Sequence, residues 1–253
     1  EFNVIYIHGE KNDKGSKIIN ENFQSYYLGK RNLLTWVFNN INAKILVTST
    51  PDLNIFYLKK TKFINHYIYM QHSLISMHMG YELKAFDYFD TVFCSSKYQK
   101  EEIREIEKVR NLKQKKILEH GYPILEKFIE NKKILSKTNK SDVVLIAPTW
   151  SNNKVFFSYY LILINILLNK NYKVIFRPHP ITIYKEEKKI KSLFKEFSAN
   201  NNFFIDKKPN SMDSILDAKY LISDWSGIAI EFIFLHKKKV IFLDINKKIR
   251  NNL

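Results

Sequence analysis

Short runs of β-branched and aromatic residues, uninterrupted by polar ones, alternate along the whole chain with longer amphipathic runs. The strand candidates are Val4–His8, Lys44–Thr48, Tyr67–Gln71, Thr91–Cys94, Lys116–Leu118, Val143–Ala147, Lys173–Arg177, Phe203–Ile205, Tyr220–Ile222 and Val240–Leu243. A strand that is apolar at consecutive positions has both faces covered, as in a parallel sheet sandwiched between helices. The runs Tyr98–Glu107, Phe157–Asn169, Lys185–Phe197, Ile215–Ala218 and Ile228–Phe234 supply the helices. This βαβα rhythm predicts a doubly wound α/β fold with parallel sheets. A polar, lysine-rich stretch within 126–141 reads as a hinge. It gives two Rossmann-like lobes, 1–135 and 141–253, around a central cleft. Both ends read as cuts in a longer protein, and the second lobe as incomplete. Glu1 leads almost at once into a strand, and no terminating element follows the last apolar run.

The formal charge of +16 is nearly all lysine, with arginine only at 31, 104, 110, 177 and 250. Such lysines are solvated surface first and a lure for anionic lipid or substrate second. Nucleic-acid recognition ranks last, because no arginine-rich or aromatic-interleaved patch is present. One cysteine, Cys94, excludes an internal disulfide, and its place at the end of an apolar strand assigns it to packing. The longest apolar stretch, Val155 to Leu168, is shorter than the ~20 residues of a membrane span and reads as a buried helix.

Open α/β sheets bind ligands beyond the carboxyl ends of their strands, and several polar clusters fall there. Arg177-Pro178-His179-Pro180 follows one strand directly. Its prolines stiffen the backbone, an arginine fork matches phosphate oxygens, and His179 can donate a hydrogen bond or charge to a diphosphate. The competing reading is a rigid turn with a surface histidine. Asp224-Trp225-Ser226-Gly227 joins a strand to a helix, with Ser226 at the N-cap and first-turn amides suited to an anion. Gly227 permits close backbone approach, and Glu231, further along the helix, can accept hydrogen bonds from ribose hydroxyls. Simple capping by Asp224 and Ser226 uses the same geometry. Ser211 stands before a short helix, where capping competes with a phosphate contact. Thr149 and Trp150, after Ala147-Pro148, are placed to meet a nucleotide or to pack. His72, in Gln71-His72-Ser73, ends a first-lobe strand and is suited to take a proton from an acceptor hydroxyl. The spacing of His72 and His78 fits no standard metal motif, so no metal site is expected. His120-Gly121-Tyr122-Pro123 reads as a tight turn of structural role.

Taken in order, Gln71-His72-Ser73, Gly121-Tyr122-Pro123, Ala147-Pro148-Thr149-Trp150, Arg177-Pro178-His179-Pro180 and Ser223-Asp224-Trp225-Ser226-Gly227 with Glu231 resemble the CDP-glycerol glycerophosphotransferase family. This is the family of teichoic-acid primases and polymerases and their capsule-synthesis relatives. The resemblance spans about Tyr67 to Asp244. It implies a GT-B-like fold with a CDP-linked donor on the second lobe and an acceptor on the first. His72 would be the base and His179 the diphosphate ligand, with no metal or other cofactor. Two motifs depart from the usual pattern: Ser73 replaces the glycine of His-Gly, and Trp225-Ser226-Gly227 replaces the commoner Tyr-Ser-Ser.

The leading expectation is therefore a transferase moving glycerol phosphate to a lipid-linked or polymeric acceptor, in the cytoplasm or on the inner face of the plasma membrane. A nucleotide-sugar-dependent glycosyltransferase for capsule or lipopolysaccharide shares these cleft features. A basic module that only docks on an anionic membrane or polymer is the non-enzymatic alternative.

Overall fold

The computed structural model describes residues 2–29, 32–135, 142–150, 156–208, 210–245 and 249–251. The chain divides into two compact units, one made of 1–71, 81–120 and Asn251, the other of 72–80 and 121–250.

In the first unit, β1 (Val4–His8) and β2 (Phe23–Tyr27) form a two-stranded parallel sheet. After α1 (Asn32–Asn40), the strands β3 (Ala43–Thr48), β4 (Ile64–Met70), β5 (Thr91–Cys94) and β6 (Lys116–Glu119) form a four-stranded parallel sheet in sequence order. Between β5 and β6 runs α2 (Lys97–Val109), whose Ser96 cap accepts a hydrogen bond from the Gln99 amide. Cys94 is buried, and its thiol is pushed up to about 11 by burial and the nearby Glu119 charge, in keeping with packing.

The second unit holds α3 (Pro123–Leu135), β7 (Val143–Ala147), α4 (Phe156–Asn169), β8 (Lys173–Phe176), α5 (Pro180–Lys185), α6 (Glu187–Phe197), β9 (Phe203–Ile205), α7 (Met212–Asp217), β10 (Tyr220–Ser223), α8 (Gly227–His236) and β11 (Ile241–Phe242). Its five strands are parallel in the order β11-β10-β7-β8-β9. Alternate residues along a strand point to opposite faces. Val144, Ile146, Val174, Phe176 and Ile222 accordingly pack with Tyr160, Ile164 and Leu168 of α4 and Ile190 and Leu193 of α6. On the other face Val143, Leu145, Ile175 and Leu221 meet Phe128 of α3, Ile215 of α7 and Phe232 of α8. Two covered faces explain why these strands carry no polar alternation.

The α/β class with parallel sheets is thus present as expected. Elements not anticipated include β2, α1, α3 and a short 3-10 helix at Lys14–Lys17. The stretch expected to hold the hinge is helical as far as Leu135, and 136–141 lie outside the described residues. The single helix expected over Lys185–Phe197 is two, because the backbone breaks at Glu186 (φ −120°, ψ 34°) and α5 already begins at Pro180. The apolar run expected as a buried helix is helical but not buried all round, and its first residue, Val155, lies outside the described residues. One face of α4 covers the sheet, whereas Tyr159, Ile162 and Ile166 on another are 56%, 59% and 49% exposed. No described helix is long and apolar enough to cross a membrane.

Candidate active site

From β7 the chain winds outward through β8 to β9, then returns to the other side of β7 to lay down β10 and β11. The winding direction therefore reverses between β7 and β10, and such a reversal opens a crevice at the carboxyl ends of the two strands. Thr149 follows β7 and Asp224 follows β10, so both stand at this point. They are joined: the Thr149 amide donates to Asp224 Oδ1 at 2.8 Å, and the Tyr160 hydroxyl of α4 lies 3.3 Å from Oδ2. One residue earlier, Ser223 Oγ donates to the Ala147 carbonyl at 2.7 Å. Asp224 is only 1% exposed. Burial raises its carboxyl above the usual range, against the opposing pull of the Thr149 and Tyr160 hydrogen bonds.

At the tip of β8, Arg177 is 8% exposed, and its Nη1 lies 2.6 Å from Asp206 Oδ2 just past β9. Ser214 Oγ donates to the same oxygen, and the Lys208 amide donates to Oδ1 at 2.9 Å. Burial alone would raise the Asp206 carboxyl, but these hydrogen bonds and the Arg177 charge outweigh it and hold the group below the ordinary aspartate range. His179 serves as N-cap of α5, its Nδ1 accepting from the Ile181 amide at 3.1 Å, with Pro180 at the first helical position. An Nδ1 that accepts leaves the proton of the neutral ring on Nε2. His179 therefore presents an N–H donor rather than a lone pair on its outer nitrogen.

Beside them starts α8. Ser226 occupies its N-cap in an extended conformation (φ −101°, ψ 140°) and makes no side-chain capping bond. Gly227 opens the helix where the segment 72–80 crosses it. A Cβ at Gly227 would stand 2.8 Å from Ser73 Oγ and 3.2 Å from Ile75 Cγ2. The close approach that needs this glycine is therefore made by the segment carrying His72. Tyr122 fastens the same segment: its hydroxyl donates to Glu231 Oε1 at 2.8 Å and lies 3.3 Å from the His72 carbonyl oxygen. Further along, the Arg250 amide donates to the Met79 carbonyl at 3.2 Å. Burial raises the Glu231 carboxyl, opposed by the Tyr122 hydrogen bond and the Arg177 charge. The His72 side chain is exposed.

His72, Thr149, Arg177, His179, Asp224, Ser226, Gly227 and Glu231 all belong to the second unit. Ser211 does too, at the N-cap of α7, but it makes no capping bond; Asn210 Oδ1 accepts from the Met212 amide in its place. Two cations stand over the ring of Trp150, Lys185 Nζ at 5.0 Å and the Arg250 guanidinium at 5.2 Å from its centre. Sequence reasoning gives Tyr122 only a structural turn and a place in the motif set, and it misses Tyr160, Asp206 and Ser214. Of these only Asp206 carried a signal, its place directly after an apolar strand. Among the described residues no group of three His, Cys, Asp or Glu side chains is arranged to hold a metal ion.

The family model for CDP-glycerol:poly(glycerophosphate) glycerophosphotransferase matches residues 3–248. The chain belongs to this family. The ordered motifs that suggested the relationship lie at the tips of β7, β8 and β10, at the start of α3, and in or next to the 72–80 segment. No curated protein matches the chain. Among solved structures it is similar in fold to UDP-GlcNAc 2-epimerase from Methanocaldococcus jannaschii. The TM-score is 0.53 at 17% identity, over 96% of this chain and 76% of that one. The same epimerase in complex with UDP-GlcNAc and UDP gives a TM-score of 0.51 at 17% identity, over 73% of this chain and 55% of that one. The chain thus spans about half the length of that second structure. This likeness gives the fold, GT-B-like and built of parallel α/β units.

Proposed function

We propose that the protein moves glycerol phosphate, or a related polyol phosphate, from a CDP-linked donor to an acceptor hydroxyl in the synthesis of a cell-surface polymer such as teichoic acid or capsule. The observation that supports the reading is the packing of the segment that carries His72 on the N-terminus of α8, a helix end suited to a diphosphate. In this scheme His72 takes the proton of the acceptor hydroxyl. The acceptor oxygen attacks the β-phosphorus of CDP-glycerol, the bond from that phosphorus to the bridging oxygen breaks, and CMP leaves with the electron pair. The Nε2–H of His179 and the first-turn amides of α8 hold the diphosphate as its charge shifts onto the leaving phosphate. Glu231 accepts from the ribose hydroxyls. Arg177, pinned by Asp206, adds positive field from below, while Asp224 and Thr149 hold the crevice in shape. The acceptor is lipid-linked or polymeric, and the lysine surplus favours work at the anionic inner face of the plasma membrane.

Thermal shift with CDP, CDP-glycerol, UDP and UDP-GlcNAc tests the donor class, since a ligand of the folded state raises stability by mass action. CDP-glycerol is expected to stabilise the protein and the uridine compounds to leave it unchanged. His179→Asn separates chemistry from folding, because asparagine still caps a helix but cannot reproduce the outer N–H of the ring. It is expected to keep the fold and to lose most transfer; unchanged turnover would remove His179 from the mechanism. A second reading, a glycosyltransferase using a nucleotide sugar, draws on the fold shared with an epimerase seen with UDP-GlcNAc and UDP. Stabilisation by UDP-GlcNAc and not by CDP-glycerol would select it.

A further inference from the structure

Tyr122 belongs to no function described so far, yet one atom of it ties together two parts of the site. Its hydroxyl donates to Glu231 Oε1 on α8 at 2.8 Å and stands 3.3 Å from the carbonyl oxygen of His72. Backbone geometry fixes the ring in place. Gly121 takes a left-handed conformation (φ 75°) that a side chain would strain. Pro123 then opens α3, with the Leu125 amide bonded to the Tyr122 carbonyl at 2.9 Å. One turn before Glu231 on α8, Gly227 lets Ser73 and Ile75 lie against the helix. The base of the segment is closed separately: the hydroxyls of Tyr69 and Tyr81 lie 3.0 and 2.8 Å from Gln71 Oε1, and Asn251 Nδ2 donates to the Tyr81 carbonyl at 2.9 Å. The residue next to this anchored base is His72, and the tyrosine hydroxyl makes a polar contact with its backbone carbonyl.

We propose that Tyr122 is a positioning residue for transfer, holding the backbone of His72 in register with Glu231 so that the imidazole meets the acceptor hydroxyl beside the bound donor. The proposal rests on the reading of His72 as the base. A misplacement of about 1 Å costs on the order of 100-fold in rate without removing any reacting group. Loss of the hydroxyl therefore acts on the chemical step more than on donor binding.

The test is a mutant cycle on the full chain, with CDP-glycerol as donor and a synthetic glycerol-phosphate-primed lipid as acceptor. Tyr122→Phe is expected to lower kcat by on the order of 10- to 100-fold with a much smaller change in KM for CDP-glycerol. In a His72→Ala background the same substitution is expected to lower kcat no further, because the effect passes through His72. An equal loss in both backgrounds, or a change confined to KM, overturns the proposal. If His72→Ala alone leaves kcat unchanged, the base assignment fails instead, and the two failures are told apart. Glu231→Ala removes the other end of the clasp and leaves the tyrosine in place. Should Tyr122→Phe not fold, the kcat loss of Glu231→Ala at saturating CDP-glycerol, compared between the wild-type and His72→Ala backgrounds, gives the same decision.

Discussion

Replacing Gly227 by alanine has a sign that the packing decides. At the start of an unobstructed helix, alanine would stabilise the chain by about 0.4–1 kcal/mol, because it has less backbone freedom to lose on folding. Here the new methyl would sit 2.8 Å from Ser73 Oγ and 3.2 Å from Ile75 Cγ2. The Ser73 hydroxyl can turn away about χ1, but the β-branched Ile75 is stiff at that bond. Overpacking of this kind costs about 1–3 kcal/mol, so the net expectation is a loss of about 1–2 kcal/mol. Urea denaturation followed by tryptophan fluorescence measures it, with CDP-glycerol turnover alongside. Turnover is expected to fall by more than stability accounts for, since the methyl pushes on the segment that carries His72. In a Ser73→Gly background part of the crowding is gone, and the loss is expected to shrink. A Gly227→Ala protein more stable than wild type, with full turnover, would show that the segment does not lie on the helix and would refute the reasoning. The contact also makes sense of two departures from the family's usual motifs. Serine stands at 73 where His-Gly is usual, and glycine at 227 where Tyr-Ser-Ser is usual; one glycine suffices at the crossing, and in this chain it is on the helix.

Asp224→Ala is expected to leave the Thr149 amide and the Tyr160 hydroxyl without their acceptor, at a cost of about 1–3 kcal/mol for each buried group, measured as a lowered urea midpoint. For Asp206 the folded-state pKa is depressed, so its stabilisation is present above the unfolded value and lost as pH falls through the folded one. Melting temperature is therefore expected to drop below about pH 4, and Asp206→Asn to flatten that part of the profile; an unchanged acid limb would assign it to other carboxylates. On α4, Ile164→Ala is expected to cost about 2–5 kcal/mol because the side chain is fully buried, whereas Ile162→Ala on the exposed face changes stability by about 0.5 kcal/mol or less. Comparable losses at both positions would mean that the outer face of α4 is covered.

Unbroken apolar runs were readable to the residue: Thr91–Cys94, Val143–Ala147 and Phe203–Ile205 occupy the bounds those runs set. The elements that escaped have mixed patterns. β2 reads Phe-Gln-Ser-Tyr-Tyr and leaves most of its side chains in solvent. α3 carries lysines through its second half, so that it resembled a linker, although Phe128 is buried deep in the core. The site divides in the same way. Its position at strand ends follows from topology, and strand ends can be found from local sequence. What the residues do there depends on partners far along the chain. Arg177 is paired with Asp206, Asp224 bonds Thr149 and Tyr160, and Tyr122 reaches Glu231 across 109 residues of sequence. No local pattern encodes such pairings.

The assignment of residues 72–80 to the second unit, with their flanks in the first, bears on how this protein can be divided. No single peptide bond separates the two units. A fragment beginning at Gly121 would leave α8 with a notch at Gly227 and nothing to fill it, and a fragment ending at His120 would carry an idle loop. Exchange of the second unit between relatives by one crossover would mismatch this loop with its helix. A working chimera requires two transplanted pieces, the loop and the domain, inherited from the same parent.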